Sequence, residues 1–499
     1  MREFLIAVCV VAMGLTASAQ KNYGFGSPGA AGNTPHIDAN QAWVGRADFA
    51  ISVTNTPAFA QSFYLITGIP AATSIAGLPI WVDTNSLLLD ANGMLPLATA
   101  DITGTSSLGA AIPNIPALAG VTIYAQAVVL DFDPNTNLPA VTGGVQIEFT
   151  LPPLVAVATS VGGSNDPFYL VDPQTMTLVH QSGNNFSNNA YGMTFTNQGR
   201  RLYLTSSITG TVTVMDTSGS GAPPMSTLAT FPGHTFEAHA DEDTKLLWVL
   251  ADTTGGNGPR QLVALDIDLA SGSYGTQVAA TTTLPQSGFL ERWTLSPTGK
   301  RAAVLQVFGN GLFLVDTDPI SPTFLQVISN LFVPGNGFLN NRVGWSPDES
   351  QLFVISQALG QVHSELARYD FAAGAWIDHD PNTPLVDNIG PSSNPPVFMG
   401  SGGSGLTVSP TEDAVFVSTI NGDVARIDFQ GTSPTGFVIT PAPTGLPQVW
   451  DVHINPDGTT LAGPSFSPPQ LNFWDAQSMM PVGSVPLPNG SNIYNVRWR

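Results

Sequence analysis

The sequence has almost no cysteine and little charge. Of its 499 residues only Cys9 is a cysteine, and only 10% are charged. Because Cys9 falls in the apolar N-terminal segment, the rest of the chain can form no disulfide, Cys-ligated metal site or cysteine nucleophile. Amphipathic helices need a charged face, and no long segment with a 3.6-residue apolar period is present. The fold must therefore be stabilised by a packed core that is not helical.

Basic residues are the scarcer of the two charge signs. The chain has 15 Lys and Arg against 36 Asp and Glu, so its formal net charge is −21. A surface of this sign repels phosphate backbones and anionic headgroups. This argues against nucleic acid and anionic lipid as partners. Solubility outside the cytoplasm explains the acidity, with a specific cationic ligand as the alternative.

The N-terminus has the pattern of a signal peptide. Arg2 precedes an apolar run over Phe4–Leu15, and Ala17-Ser18-Ala19 forms a cleavage site of small residues. We therefore expect residues 1–19 to be removed and the protein to be exported, to the extracellular space, the cell surface or the periplasm. No later run of about 18 apolar residues exists, so no membrane span is expected.

The remaining composition favours an all-β protein. Gly (50) and Pro (41) are abundant and 43% of residues are apolar, which suits short strands joined by tight turns. Residues 20–151 form the first region, in which turn residues separate strand-like runs. We predict a small antiparallel β-sandwich there. The runs are Asp48–Val53, Phe63–Thr67, Leu78–Val82, Val121–Leu130 and Val145–Leu151.

This first region resembles a module that recurs in large exported bacterial proteins, often beside repeat domains. The resemblance lies in Phe25-Gly26-Ser27-Pro28-Gly29, Gly77-Leu78-Pro79-Ile80, Leu118-Ala119-Gly120 and Tyr124-Ala125-Gln126. Cysteines that the family has near its start are absent here. The resemblance implies a β-sandwich and no chemistry of its own.

A repeated unit begins after the proline pair Pro152-Pro153, which breaks strand pairing. Its clearest copy is Trp293–Asp316: strand, Ser-Pro-Thr-Gly turn, strand, Gly-Asn-Gly turn, and a strand that ends in aspartate. Seven strands end in this way, at Asp172, Asp216, Asp266, Asp316, Asp370, Asp428 and Asp475. Six turns precede second strands, and they begin at Thr196, Asp241, Ser296, Ser346, Ser409 and Asn455.

The mismatch between seven strand ends and six turns predicts how the repeat closes. The first repeat lacks its own first strand, and Ser491–Arg499 is a first strand with nothing after it. Pairing of the C-terminal strand with the first blade would complete a seven-bladed β-propeller over residues 152–499. The repeats, over residues 155–499, resemble the seven-bladed propellers of the YVTN and lactonase-like group, which share the Ser-Pro-Asp-Gly-type turn and the strand-end aspartate.

The strand phase predicts which side chains face the central channel. Residues one and three positions before each turn are apolar and should face neighbouring blades, so residues two and four positions before should face the channel. We call the residues four before each turn the first row: Gly192, Glu237, Arg292, Arg342, Gly405, Asp451 and Asn495. The second row is two before each turn: Thr194, His239, Thr294, Gly344, Thr407, His453 and Arg497.

These rows contain the candidate ligand-binding residues: Glu237, His239, Arg292, Arg342, Asp451, His453 and Asn495. One interpretation is a polar pocket in which Arg292 and Arg342 hold a carboxylate, sulfate or lactone oxygen. Gly344 and Gly405 would then leave one side of the channel open. The alternative, which we favour, is a structural ring of ion pairs.

A metal site in the channel, calcium at the strand ends and a known catalytic motif are three further alternatives. A metal held by Glu237, His239 and His453 has suitable donor types, but hydrogen-bonded histidines are the simpler interpretation, and we expect no metal and no cofactor. The strand-end aspartates are one per blade, too far apart to share calcium, and fit turn hydrogen bonds. No Gly-x-Ser-x-Gly, phosphate-loop or His-Glu-x-x-His motif is present.

Three functions remain open from the sequence, the third being a metal-dependent lyase or hydrolase at His239 and His453. The first hypothesis is an exported, non-enzymatic binding or scaffold protein, expected as a monomer, that contacts a protein, a glycan or a small anionic ligand. The second is a lactonase-like hydrolase with its site in the channel, because lactonases of the group use acidic, histidine and arginine side chains there. A fold of this kind does not decide between them.

Overall fold

The computed structural model describes residues 20–499 with gaps. The gaps are residues 31, 41, 91, 114, 133–137, 160–166, 183–189, 197–198, 219–222, 256–258, 286–289, 335–336, 359–362, 381, 383–384, 391–392, 394–402, 420–423, 432, 434–435, 443–448 and 489–492. The predicted signal peptide, residues 1–19, lies outside the described residues. Within them the chain is nearly all β, as predicted. No helix in this part is both long and apolar enough to cross a membrane.

The chain divides into two compact units, the first ending at Pro152 and the second covering Pro153–Arg499. In its described residues the first unit has ten strands and one short 3-10 helix, Pro116–Leu118. Its strands are β1 (Gln20–Tyr23), β2 (His36–Ala39), β3 (Phe49–Thr54), β4 (Gln61–Thr67), β5 (Pro70–Ile75), β6 (Leu78–Val82), β7 (Leu97–Thr99), β8 (Ser106–Ala110), β9 (Thr122–Phe132) and β10 (Pro139–Glu148).

Two antiparallel sheets form the body of this unit. One has the order β1-β10-β9-β4-β7 and the other the order β2-β3-β8, and they bury one shared apolar core that includes Ile51, Tyr64, Ala125 and Ile147. Each predicted run overlaps a strand, and the two sheets share one core, an arrangement consistent with the predicted β-sandwich. The sequence pattern missed β1, β2, β5, β7 and β8, which are short or lack a clear apolar alternation.

A β-hairpin of β5 and β6 packs on the larger sheet and builds a second, smaller core with Leu65, Ile80 and Val82. The buried Gln126 side chain fixes this hairpin: it accepts from the Trp81 amide at 2.9 Å and donates to the Pro79 carbonyl at 2.9 Å. A buried amide needs such partners, because an unpaired one costs free energy.

The described part of the second unit forms seven four-stranded antiparallel sheets. Sheet 1 contains β11 (Val155–Thr159), β12 (Phe168–Asp172) and β13 (Thr177–Gln181). Sheet 2 contains β14 (Ala190–Phe195), β15 (Arg201–Ser206), β16 (Thr211–Asp216) and β17 (Met225–Thr230). Sheet 3 contains β18 (Thr235–Asp241), β19 (Leu246–Asp252), β20 (Arg260–Asp266) and β21 (Gln277–Ala280). Sheet 4 contains β22 (Leu290–Leu295), β23 (Arg301–Gln306), β24 (Gly311–Asp316) and β25 (Val327–Phe332).

Sheets 5 to 7 follow the same order from first to fourth strand. Sheet 5 contains β26 (Gly337–Trp345), β27 (Gln351–Ala358), β28 (Ser364–Asp370) and β29 (Ala375–Trp376). Sheet 6 contains β30 (Gly403–Val408), β31 (Ala414–Thr419), β32 (Val424–Phe429) and β33 (Phe437–Pro441). Sheet 7 contains β34 (His453–Ile454), β35 (Thr460–Phe466), β36 (Pro469–Asp475) and β37 (Pro481–Pro486). The last strand of the chain is β38 (Ile493–Trp498).

The C-terminal strand closes the circle, as the repeat count predicts. β38 pairs antiparallel with β11, with Val157 opposite Val496 and Val155 opposite Trp498, and so completes sheet 1. The first strands contact one another in the order β38, β14, β18, β22, β26, β30, β34 and back to β38. This closed arrangement of four-stranded sheets is that of a β-propeller.

Apolar side chains fill the spaces between adjacent sheets. Met193 and Phe195 of sheet 2 pack with sheet 1, and Trp498 of sheet 1 packs with sheet 7 through Leu471 and Phe473. These are positions one and three before the turns, so the predicted phase of the first strands is confirmed. The phase in turn points the alternate residues at the channel.

Turn hydrogen bonds account for six of the seven strand-end aspartates. Asp316, for example, accepts from the Asp318 amide at 3.0 Å, and Asp370 accepts from the Ala372 amide at 2.8 Å. Asp428 differs: its carboxylate pairs with Arg426 of the same strand at 2.5 Å. The predicted turn role is therefore correct for all but Asp428.

Candidate functional site

The charged members of the first row meet in the channel of the second unit. Five of its residues, with one residue of the second row, form a continuous set of ion pairs and hydrogen bonds. We call this set the channel network: Glu237, Arg292, Arg342, Asp451, Asn495 and Arg497.

Arg342 is the centre of the channel network. Its guanidinium pairs with Glu237 through Nη1, and its Nη2 lies 3.4 Å from Asp451 Oδ2 and 3.3 Å from Asn495 Oδ1. These partners belong to sheet 3, sheet 7 and sheet 1, while Arg342 belongs to sheet 5, so one side chain crosses the channel. The planar guanidinium, with five donors, suits such a junction better than any other side chain.

Glu237 is the buried anion on the other side of this junction. Its Oε1 also lies 3.2 Å from Arg292 Nη1, and its Oε2 accepts the backbone amide of Trp293 at 3.0 Å. Burial alone would raise the pKa of Glu237, but the positive charges of Arg342 and Arg292 outweigh burial and lower the pKa to about 2. Glu237 is therefore ionised and has both oxygens engaged.

Asp451 plays the same part on the opposite side. Its Oδ2 lies 3.2 Å from Arg497 Nη1 and accepts the Val496 amide at 3.2 Å, while Oδ1 is buried without a described partner. Asn495 accepts from Arg342 and donates through Nδ2 to the backbone carbonyl of Tyr191. The burial of Glu237, Arg342, Asp451 and Asn495 leaves 5% exposure or less on each.

The glycines of the channel do not have the role that the sequence suggested. A Cβ at Gly405 would lie 2.7 Å from the Val452 amide nitrogen and 2.8 Å from Asp451 Cα, and one at Gly344 would lie 2.9 Å from Val408 Cγ2. The expectation that Gly344 and Gly405 open one side of the channel is therefore wrong. They are glycines because the neighbouring first strand approaches too closely for a side chain.

The second row is less enclosed than the first. Thr194, His239, Thr294, His453 and Arg497 are all half-buried, although they lie on the inner strands. The side chain of Arg497 retains 15% exposure, against 1% for its partner Asp451. Side chains that face the axis and still contact solvent indicate an open space in the channel beside this row.

The two histidines are neutral and do not form a metal site. His239 Nε2 donates to the Trp293 carbonyl at 3.1 Å, and burial lowers the pKa of His239 to about 4. Burial also places the pKa of His453 well below its ordinary value. Among the described residues no three His, Cys, Asp or Glu side chains are grouped so that they could hold a metal, which removes the Glu237–His239–His453 hypothesis.

Sequence reasoning missed an aromatic and ionic cluster next to Arg292. The Arg292 guanidinium lies 4.4 Å from the centre of the Tyr191 ring, whose hydroxyl donates to Glu291 Oε2 at 2.6 Å. Glu291 is also 3.9 Å from Arg260, which stacks 4.0 Å over Phe236. Tyr191 and Glu291 lie one position before the first row, in strand segments where the row phase gave no reason to select them.

Trp293 and Trp498 tie neighbouring first strands together by their indoles. Trp293 Nε1 donates to the Glu237 carbonyl at 2.8 Å, and Trp498 Nε1 donates to the His453 carbonyl at 2.8 Å. Trp293 is three residues before its turn and Trp498 is one residue before the end of the chain. Each indole bonds to the first strand of the preceding sheet. These side chains therefore position the candidate residues without entering the channel.

Comparison with known proteins identifies the fold and nothing finer. No family model matches the sequence, and no curated protein matches it either. Solved structures are similar: a hypothetical selenium-binding protein from Sulfolobus tokodaii (TM-score 0.54, 12% identity, 70% of this chain and 94% of that one) and a candidate 6-phosphogluconolactonase from Bacteroides uniformis (0.52, 12%, 70% and 100%). A periplasmic gluconolactonase from Pseudomonas aeruginosa is similar too (0.51, 14%, 69% and 98%).

Proposed function

We propose that this chain is an exported, non-enzymatic binding or scaffold protein that uses a propeller face for contact with a protein, a glycan or a small ligand. The observation that carries the proposal is the internal pairing of the channel network. Each of its three arginines has a carboxylate oxygen within 3.4 Å, and Arg342 joins opposite sides of the channel. The network thus supports the structural interpretation of the first row.

The protonation states of these groups also argue against hydrolysis. A general base must hold a pKa near the working pH and have a lone pair free for the proton. Glu237, with its pKa near 2, is too weak a base and has both oxygens occupied. His239 uses Nε2 for the Trp293 carbonyl, and its pKa of about 4 makes it a weak base as well.

The outer parts of the second unit supply surface for contacts. Large apolar side chains are exposed there, such as Ile320 (89%) on the β24–β25 connection and Phe332 (70%) on β25. Single exposed apolar residues are normal on soluble proteins, so they do not define one binding surface. The signal-peptide pattern, the net charge of −21 and the absence of thiols after residue 19 support export.

A lactonase-like hydrolase is the second candidate, because two of the similar structures have lactonase names and because the channel holds acidic, histidine and arginine side chains. The resemblance to the YVTN and lactonase-like group points the same way. At 12% and 14% identity, however, the similarity concerns the fold, and folds of this kind host many functions.

Hydrolysis of an aldonolactone by the purified full chain separates the two candidates. We expect wild type, Arg292→Ala and buffer alone to give the same rate at pH 7. A wild-type rate well above buffer that Arg292→Ala abolishes, with unchanged thermal stability, would refute the non-enzymatic proposal and establish the lactonase. Lys300→Ala, a surface substitution outside the channel, is the matched control for protein quality.

Binding is then tested directly. We expect the labelled full chain to bind saturably to a subset of an oligosaccharide and peptide array at low salt.

Export is tested by expressing the gene with and without codons 1–19 in a bacterium and following the protein in the cell and outside it. Retention of the full-length chain in the cytoplasm would contradict the exported assignment.

A further inference from the structure

The charges of the channel network do not balance. Its arginines are Arg292, Arg342 and Arg497, and its carboxylates are Glu237 and Asp451. His239 and His453 are neutral because burial lowers the pKa of both, and the adjacent Arg260–Glu291 pair adds no net charge. Among the described residues the channel therefore holds one positive charge in excess. Enclosed charge without a counter-charge is costly, so the imbalance calls for an anion.

Two arginines of the network have donors left for that anion. Among the described residues Arg292 uses only Nη1, on Glu237 Oε1 at 3.2 Å, but its guanidinium lies over the Tyr191 ring. Arg497 belongs to the second row and is the one beside the open space. Its Nη1 donates to Asp451 Oδ2 at 3.2 Å and to the Val496 carbonyl at 2.7 Å. No other nitrogen of this guanidinium has a hydrogen-bond partner in the described part of the chain, and the side chain is 15% exposed. Arg342, by contrast, is 5% exposed and spends its terminal nitrogens on Glu237, Asp451 and Asn495.

The space next to Arg497 is the open part of the channel described above. Thr194, Thr294 and His239 of the second row line it and are half-buried. Within the described residues the Thr294 hydroxyl has only its own neighbour, the Leu295 carbonyl at 3.3 Å, as a partner, so it is able to turn toward a ligand. The Thr194 hydroxyl lies 3.3 Å from the Phe195 carbonyl and also accepts the Ala240 amide at 3.4 Å.

We propose that the channel binds one small monovalent carboxylate, held by the free donors of Arg497 and by second-row hydroxyls. A guanidinium presents two parallel N–H groups that match the two oxygens of a carboxylate, whereas a halide can use only a point contact. A singly charged ligand balances the excess charge, and formate and acetate are the smallest carboxylates with which to test the site. The inference rests on the proposed function in one respect: it names the small ligand that the channel receives.

Thermal unfolding in sodium salts tests the site. Ionic strength is kept constant with a bulky sulfonate, and formate, acetate and chloride are titrated to about 50 mM. Because a ligand that binds only the folded state raises Tm by mass action, we expect a saturable rise of about 2 °C for formate and acetate and a smaller one for chloride. No saturable rise with either carboxylate would overturn the proposal, and chloride as effective as formate would overturn the carboxylate assignment.

Arg497→Gln is the decisive variant. It brings the network to two arginines and two carboxylates, and Asp451 keeps Arg342 and the Val496 amide, so we expect a folded protein whose formate response is lost. Thr294→Val should weaken the apparent formate affinity by about threefold to tenfold without changing the charge. Arg301→Gln, which removes an arginine paired with Glu349 outside the channel, should keep the full response.

Loss of the response in Arg301→Gln as well, or its persistence in both Arg497→Gln and Thr294→Val, would show that the ions act elsewhere. These readouts do not depend on lactone hydrolysis. Lactone hydrolysis together with an Arg497-dependent rise in Tm would refute the non-enzymatic function and keep the anion site. Absence of both hydrolysis and the rise in Tm would refute the anion site and leave the non-enzymatic function standing.

Discussion

The first and second rows of the channel lie two residues apart on the same strands, and they differ in almost every physical respect. In the first row, Glu237, Arg342 and Asp451 are buried and paired across the channel. In the second row, His239, His453 and Arg497 are half-buried, and the two histidines are neutral. The strand phase gives both rows the same direction, and the difference lies in the pairing: Arg342 reaches two carboxylates, while Arg497 reaches one.

The contrast shows what makes a propeller channel close. Arg342 reaches the carboxylates of Glu237 and Asp451 and so excludes solvent from the first row. The threonines and histidines of the second row are too short to meet across the channel. Charge pairs at this depth are stabilising only while every member keeps its partners. The first row is therefore expected to be sensitive to substitution, and the second row tolerant of it.

Arg342→Met should have the largest effect of any single change in the channel. It leaves each buried carboxylate with one arginine and one backbone amide: Asp451 with Arg497 and the Val496 amide, and Glu237 with Arg292 and the Trp293 amide. Breaking a buried ion pair from one side typically costs about 3–5 kcal/mol. We expect a loss of this size in the free energy of unfolding of the second unit, measured by urea denaturation.

Lys300→Met is the control for that measurement. Lys300 pairs with Asp318 at 3.5 Å and is 58% exposed, and surface pairs of this kind contribute about 0–1 kcal/mol. If Arg342→Met were no more destabilising than Lys300→Met, the channel network would have no structural role and the contrast between the rows would fail.

Acid should produce the next largest effect, through groups of both rows. A histidine whose pKa is about 4 in the folded state and about 6.5 in the unfolded chain takes up its proton more readily when unfolded. The stability due to His239 is thus fully present above pH 6.5 and is lost as pH falls toward 4. Glu237 adds a second loss between about pH 4.5 and 2, because its folded pKa is also lowered.

His239→Gln separates the two titrations. The amide of Gln keeps a donor for the Trp293 carbonyl but binds no proton in this range, so we expect urea midpoints that change less between pH 6.5 and pH 4 than those of wild type. The steep loss below pH 4.5 should remain. Parallel curves for wild type and variant over pH 4–6.5 would contradict the neutral state assigned to His239.

Much of the fold was predictable because it repeats. Seven aspartates and six turns at matching positions, together with an unpaired final strand, were sufficient to predict the closure by β38 and to set the phase of the first strands. The first unit was harder, since β1, β2, β5, β7 and β8 carry no repeat and too few apolar residues to stand out.

The row phase placed Glu237, Arg342 and Asp451 on one side of their strands, because a two-residue period fixes direction, and their ion pairs show that they meet. That these residues bind a ligand stays a prediction. The row phase could not tell that Arg342 is long enough to cross the channel. Nor could it tell that Gly405 meets the backbone of β34 and its lead-in, because a glycine at a facing position is compatible with either an opening or a close contact.

Gly405→Ala measures that close contact. The added methyl would meet backbone atoms of Asp451 and Val452 within 2.8 Å, and backbone yields less than a flexible side chain. We expect a loss of about 1–3 kcal/mol in unfolding free energy, as for other overpacked sites. Gly272→Ala, where a Cβ meets no atom within 4 Å, should change stability by about 0.5 kcal/mol or less.

The smallest effect is expected at the edge of the network, where Trp293→Phe removes one hydrogen bond. The indole donates to the Glu237 carbonyl in a buried position, so the variant leaves that acceptor without its partner and should cost about 1–2 kcal/mol. Trp81→Phe of the first unit removes a similar indole bond, to Phe25 at 2.7 Å, in an exposed position where water can replace it. We therefore expect it to cost less. Equal losses in urea denaturation would mean that water reaches the backbone behind the first row, which would contradict the closed state that distinguishes this row from the second.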